Sequence, residues 1–188
     1  MSNAVINCPK CNQFLRITLE DCSEKPKKAE ISQEMKVITY KDDKTLKQTF
    51  DSLMKENDIK FYEYTHIDSF FPINTKTKER LQEEPTGKII TEKTPNVLNL
   101  TPDMCNRSAD DMLETPCLSP IAWLYWFIEE YKQGRYLDEK TWTQFPNWRD
   151  TNGGVLDLSW SPDSREVFVR RWHPSNAHGD VGQRALLV

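Results

Sequence analysis

The chain has 188 residues, 37% hydrophobic and 29% charged, which fits one sizeable globular domain or a domain with an extension. Its formal net charge of −4 gives no electrostatic reason to expect nucleic acid. No apolar run approaches the ~20 residues that cross a bilayer, so no membrane partner is expected either.

The N-terminus, Met1-Ser2-Asn3-Ala4-Val5-Ile6, lacks the basic and apolar regions of a secretory signal. A reducing setting follows as the expectation: cytoplasmic, or inside a large assembly, and not secreted. The five cysteines, Cys8, Cys11, Cys22, Cys105 and Cys117, are odd in number and irregularly spaced, which argues against a disulfide framework.

Residues 1–30 read as a Cys-bearing arm that ends in a solvated linker, Lys25-Pro26-Lys27-Lys28. Within the arm, Cys8-Pro9-Lys10-Cys11 resembles one knuckle of a zinc ribbon. Two thiolates in a tight turn can grip one tetrahedral Zn²⁺ at ~2.3 Å each. A structural site needs four ligands; Cys22 is the candidate third, with His66, Cys105 or Cys117 brought in by folding. Three readings stay open: a zinc site, a bare turn without metal, and a redox dithiol. Against the dithiol, only Ala4-Val5-Ile6 precedes the motif, too short for the buried strand that normally carries one.

Residues 31–118 alternate strand and helix patterns. Met35-Lys36-Val37-Ile38-Thr39-Tyr40 is a β-rich run. Asp42 and Asp43 follow as N-cap candidates, and Leu46, Phe50, Leu53 and Met54 recur at i, i+4, i+7 and i+8. That is the apolar stripe of a helix over roughly 43–56, stopped by Asn57-Asp58. Ile59 to His66 reads as a second strand. Strand, helix, strand at this spacing predicts a βαβ unit with parallel strands and a right-handed crossover. A helix near 75–84 and a strand entered through Thr94-Pro95 complete the region.

This order of elements resembles the glutaredoxin branch of the thioredoxin-like fold over residues about 35–100. The matching stretches are Val37-Ile38-Thr39-Tyr40, the helix, Ile59-Lys60-Phe61-Tyr62-Glu63-Tyr64, Arg80-Leu81, Thr86-Gly87 and Thr94-Pro95-Asn96-Val97-Leu98. The resemblance implies a cis peptide before Pro95, beside the family's active site. Glutaredoxins place a Cys-x-x-Cys motif at the start of the first helix, where the thiol pKa is lowered. Those positions here fall on Lys44 and Lys47, or on Thr45 and Gln48, and none can form a disulfide. Dithiol chemistry at that place is excluded, and no catalytic residue is assigned.

Residues 119–188 hold all six tryptophans. Ser119 to Gly134 is a helix with Ser119 as N-cap, Pro120 at N1 and Gly134 for a left-handed end. Trp123, Leu124, Trp126, Phe127 and Ile128 spread apolar side chains around its axis. A helix resting on one sheet buries one stripe, so a second surface must cover the rest. Either the chain's own hairpin over 155–172 does so, or a protein partner docks on Trp123, Trp126 and Phe127. His173 and His178 read as solvated loop histidines.

The expectation is therefore an α+β protein: a degenerate glutaredoxin-like core, a Cys-bearing arm, and an aromatic helix-plus-hairpin extension packed on the core. Its expected role is a non-catalytic module that binds other protein subunits in an intracellular or viral complex. The alternative is a thiol- or zinc-dependent protein using Cys8 and Cys11. If they hold zinc, protein prepared without chelator carries about one Zn²⁺ per chain, and the Cys8→Ser, Cys11→Ser double change releases it. Metal analysis that finds none removes zinc and leaves the bare turn and the dithiol.

Overall fold

The computed structural model of the chain describes residues 3–7, 14–18 and 34–187. It divides into two units, Met1–Ser32 and Gln33–Val188. In the first, β1 (Asn3–Asn7) and β2 (Phe14–Thr18) pair antiparallel, Asn3 opposite Thr18. Cys8, Cys11 and Cys22 lie outside the described residues.

The second unit is mixed α+β. Its first strand, β3 (Met35–Lys41), buries Ile38 and Tyr40 on one side, the alternation of a half-covered strand. Next comes α1 (Leu46–Glu56), which buries Leu46, Phe50, Leu53 and Met54. Its N-cap is Thr45 rather than Asp42 or Asp43, because a capping box forms there. The Thr45 N–H donates to Gln48 Oε1 at 3.0 Å and the Gln48 N–H to Thr45 Oγ1 at 3.3 Å. Asp42 is engaged elsewhere, accepting from the N–H and hydroxyl of Thr86.

The largest sheet takes β4 (Lys60–Glu63), β5 (Phe71–Pro72), β7 (Trp142–Arg149), β8 (Val155–Ser161), β9 (Glu166–Trp172) and β10 (Val181–Gly182). Its order is β10-β7-β8-β9-β4, with β5 on β7. The hairpin expected over 155–172 is present as β8 and β9, paired antiparallel from Val155–Trp172 to Ser161–Glu166. A separate two-stranded sheet joins β3 to β6 (Ile89–Pro95), also antiparallel.

This pairing corrects the βαβ expectation. β3 and β4 flank α1 but lie in different sheets, and the parallel partner of β4 is β9. The physical reason is that α1 packs against a second helix instead of crossing a sheet, while the hairpin offers β4 a free edge. The expected helix near 75–84 is absent too. Asn74 Oδ1 accepts from the N–H groups of Lys76 and Thr77, which turns the chain back so that Ile73 bridges Arg80. Pro95 closes β6 rather than opening a strand, and its peptide is trans.

That second helix, α2 (Pro120–Tyr131), is capped as expected: Ser119 Oγ accepts from the Ala122 N–H at 3.1 Å, and Gly134 takes φ +71°. Trp123, Trp126 and Phe127 have no exposed surface. Phe145, Leu156, Leu158, Trp160, Val167 and Val169 of the sheet belong to the same core cluster as Ile38 and Tyr40 of β3 and Phe50 and Met54 of α1. The covering of α2 thus comes from the chain itself, and those three side chains are core, not a docking face. The same cluster spans 118/119, so residues 34–187 share one core and no domain boundary falls there.

An apolar helix with two indole N–H groups needs buried acceptors. Trp126 Nε1 donates to Glu130 Oε1 at 3.1 Å, and Trp123 Nε1 to Asp138 Oδ2 at 2.8 Å. Asp138, fully buried, also accepts from Thr141 and Thr143 and pairs with Arg184 at 2.8 Å. Arg184, equally buried, donates further to Thr143 Oγ1 and to the carbonyls of Val97 and Leu98. Its guanidinium lies 4.8 Å from the Trp126 ring centroid. Removing one member of such a pair strands a buried charge, so Asp138→Ala or Arg184→Ala should each cost ~3–5 kcal/mol in urea unfolding. Replacing both, as Asp138→Ala with Arg184→Ala, should cost less than the two single changes together; full additivity would show that the pair is not coupled.

Candidate functional site

Side chains alternate along a strand, so residues 62 and 64, 168, 170 and 172, 157 and 159, and 142 and 144 share the sheet face turned away from α2. The register brings them into rows: Tyr62, Phe168 and Ser159 in one, Arg170, Asp157 and Gln144 in the next. Ring centroids lie 4.7 Å apart for Tyr62 and Tyr64, 5.6 Å for Tyr64 and Phe168, and 6.2 Å for Phe168 and Trp142. These are edge-to-face and tilted contacts within the range where aromatic pairs attract.

Arg170 stands at the centre of this face. Its Cζ is 3.5 Å from the Trp142 centroid and 4.5 Å from that of Trp172, so two indoles hold the guanidinium. Underneath, Arg170 Nη2 donates to Asp157 Oδ2 at 2.7 Å. Asp157 is fully buried, and burial, with smaller contributions from Asp138 and Asp180, pushes its carboxyl up to about 7 although Arg170 opposes the change. Among the described residues its Oδ1 has no hydrogen-bond partner, nor has Oε1 of Gln144, its cross-strand neighbour.

The far side of this face is closed by the chain's end. The Asn106 N–H donates to the His178 carbonyl, and His178 meets the Trp172 ring edge-on. Gly182 passes so near the Met104 carbonyl that a Cβ would stand 2.0 Å from its oxygen, which only glycine allows. The near side is open. β4 is an edge strand, and among the described residues no other strand pairs with its outer side. Tyr62 is 51% exposed and Tyr64 60%; Phe61, on the opposite face, is 42% exposed and packs edge-on against Phe50.

The expected site residues are not brought together. Cys105 and Cys117 are free thiols, and their backbones form isolated β-bridges with different points of the tail, Gly182 and Ala185. Burial pushes the Cys117 thiol up to about 12 and raises that of Cys105, so neither is a ready thiolate. His66 is exposed beside Glu63. Among the described residues, no three His, Cys, Asp or Glu side chains could hold a metal ion. Ser175 Oγ and His173 Nδ1 are 2.9 Å apart on one exposed turn, and no carboxylate among the described residues bonds the ring to orient it. Sequence reasoning missed the aromatic face; its signal was spacing by two in Tyr62 and Tyr64 and in Phe168, Arg170 and Trp172.

Asp157 gives the face a pH signature. The folded chain holds a proton there that the unfolded chain releases at lower pH, so this group's stabilisation is complete below about pH 4 and lost as pH rises through about 7. Relative to Asp157→Asn, the native chain should lose stability as pH rises between about 4 and 7, by at most ~1.4 kcal/mol per pH unit. Urea midpoints of the two proteins that run parallel across this range would refute the assignment.

No family model matches the chain, and comparison with curated proteins and with solved structures also finds no match.

Proposed function

We propose that the chain is a non-catalytic interaction module, a component of a larger intracellular or viral complex, and that its partner is another protein subunit. The partner's contact is an extended segment laid along β4, so that it adds a strand to the sheet edge. The carrying observation is β4 itself: an edge strand that no other strand among the described residues pairs on its outer side, with exposed aromatics on both faces. Backbone groups along such an edge supply hydrogen bonds, and pockets between aromatic side chains supply specificity. Tyr and Trp with Arg are the residue types that dominate binding energy at protein interfaces. Monomers seldom leave an aromatic edge uncovered, because it invites unplanned pairing.

The glutaredoxin-like reading of residues 35–100 enters this proposal through the missing nucleophile. Thr45 and Gln48, at the start of α1, are tied to one another in the capping box and carry no thiol. The proposal therefore assigns no dithiol chemistry to that place. A zinc or thiol role for Cys8 and Cys11 rests on their spacing alone.

Co-purification from the native source supplies the candidate partner, and reconstitution with that purified partner tests the contact. Tyr62→Ser with Tyr64→Ser should weaken binding at least about tenfold, or ~1.4 kcal/mol. Amide exchange over residues 60–64 should slow in the complex. Unchanged affinity of the double variant, or protection confined to other elements, would sink the proposal.

A further inference from the structure

A second concave surface, separate from the aromatic face, lies where the turn at residues 74–80 meets the end of β7. It encloses about 440 Å³, the size of a small-molecule site. Phe71, Ile73 and Pro174 form its apolar wall, and Lys78, Arg80 and Arg149 bring positive charge to it. In a chain of net charge −4, that local sign is the exception.

The three cations differ in how they are held, and none is well compensated. The Arg149 side chain is buried. Its Nε donates to the Pro146 carbonyl at 2.7 Å and Nη1 to that of Gly153 at 3.2 Å, while its one carboxylate, Asp110, is half-exposed and accepts from Nη2 at 3.3 Å. A guanidinium has five N–H groups, so this pattern leaves donors to spare. Arg80 lies with Cζ 4.2 Å from the Phe71 ring centroid, and no described carboxylate is within ion-pair distance. Lys78 likewise has no ion-pair partner among the described residues. Its backbone takes φ +59°, an uncommon conformation for lysine, held by its N–H bonding the Asn74 carbonyl at 2.7 Å.

Two carboxylates line the same cleft, and they do not cancel the charge. Asp150 is engaged by Arg171 at 2.5 Å and by the N–H groups of Asn152 and Gly154 at 2.8 Å each. Gly154 permits this, since a Cβ there would meet the Arg171 side chain at 2.2 Å. Counting Arg171 with the three lining cations, four positive groups face Asp110 and Asp150, which leaves an excess of two.

We propose that this cleft binds a small organic oxyanion, a carboxylate or phosphate monoester. Its charged group lies between Arg149, Arg80 and Lys78, and its apolar part rests on Phe71, Ile73 and Pro174. Forked guanidinium donors suit such anions, and the apolar wall excludes competing water. Asp110, the one carboxylate on Arg149, acts as a weak internal competitor for the same donors.

The test is titration of the full chain with phenyl phosphate and with benzoate, followed by amide and arginine Nε–H chemical shifts, with benzyl alcohol as the neutral control. Saturable shifts at Arg80 and Arg149, with a Kd of about 1 mM or tighter for either anion, support the site, and the tighter anion identifies the head group. Lys78→Gln with Arg80→Gln, both at the cleft mouth, should weaken binding at least about tenfold. Asp110→Asn should tighten it, a gain that a purely structural role for Arg149 does not produce. No saturable shift, equal binding of benzyl alcohol, or indifference to both substitutions would overturn the proposal.

Discussion

Four parts of the second unit meet at the buried pair of Asp138 and Arg184. The pair takes the Trp123 indole from α2, the hydroxyls of Thr141 and Thr143 before and within β7, and the carbonyls of Val97 and Leu98 beyond β6. Arg184 itself comes from the C-terminal tail. Two full charges inside a core are costly unless every donor and acceptor is satisfied, and here the partners are numerous and close. The pair therefore specifies geometry more than it adds stability: the tail, the 97–98 loop and α2 have few other ways to satisfy the same polar atoms. Asp138 holds φ +54° to take part, a conformation its surroundings must enforce.

With that anchor in place, α2 can be apolar nearly all round. Its one deeply buried carboxylate, Glu130, is pushed up by burial, but hydrogen bonds from Arg135, Lys36 and Trp126 outweigh this and hold it below the ordinary carboxylate range. Lys36 is on β3 and Arg135 lies just past the helix, so the bond set also fixes β3 against α2. The opposite end of the helix is tied to β6, where Glu92 accepts from the Ser119 N–H and hydroxyl. Glu92 takes the Tyr40 hydroxyl as well, so both strands of the two-stranded sheet are registered on one helix by carboxylates.

Local rules read along the chain were enough to find α1, α2 and the β8–β9 hairpin, because periodicity and caps act over a few residues. They failed wherever a decision depended on a remote partner. Nothing within Met35 to His66 reports that β4 will pair with Glu166–Val169 of β9, so local rules point to the nearest strand instead. The 75–84 segment was misread for a smaller reason: a single Asn74 side chain, bonding two following N–H groups, competes with helix and wins. The docking role given to Trp123, Trp126 and Phe127 failed differently. An all-round apolar helix must be covered, but its own sequence does not say by what. Spacing by two marks Tyr62 with Tyr64 and Phe168 with Arg170 as sharing a side of their own strands, but the two runs become one surface only when β4 joins β9, which no local signal reports.

Across the fold, buried aspartates are matched to arginines. Arg184 has Asp138, Arg170 has Asp157, and Arg171 has Asp150. An overall acidic chain has carboxylates enough for its arginines, which makes departures informative. Among the described residues, Arg149 is buried with one long contact to a half-exposed carboxylate, and Arg80 rests on an aromatic ring with none. The aromatic edge departs from a second rule, that sheet edges be short of exposed apolar surface. Sequences that fold well satisfy such rules nearly everywhere, and the places that break them are where selection for something other than stability has acted. Both exceptions here are at the surface, on opposite flanks of β7. Neither borrows a residue from the Asp138–Arg184 anchor, so a substitution at either surface leaves the hydrogen bonds of that anchor in place.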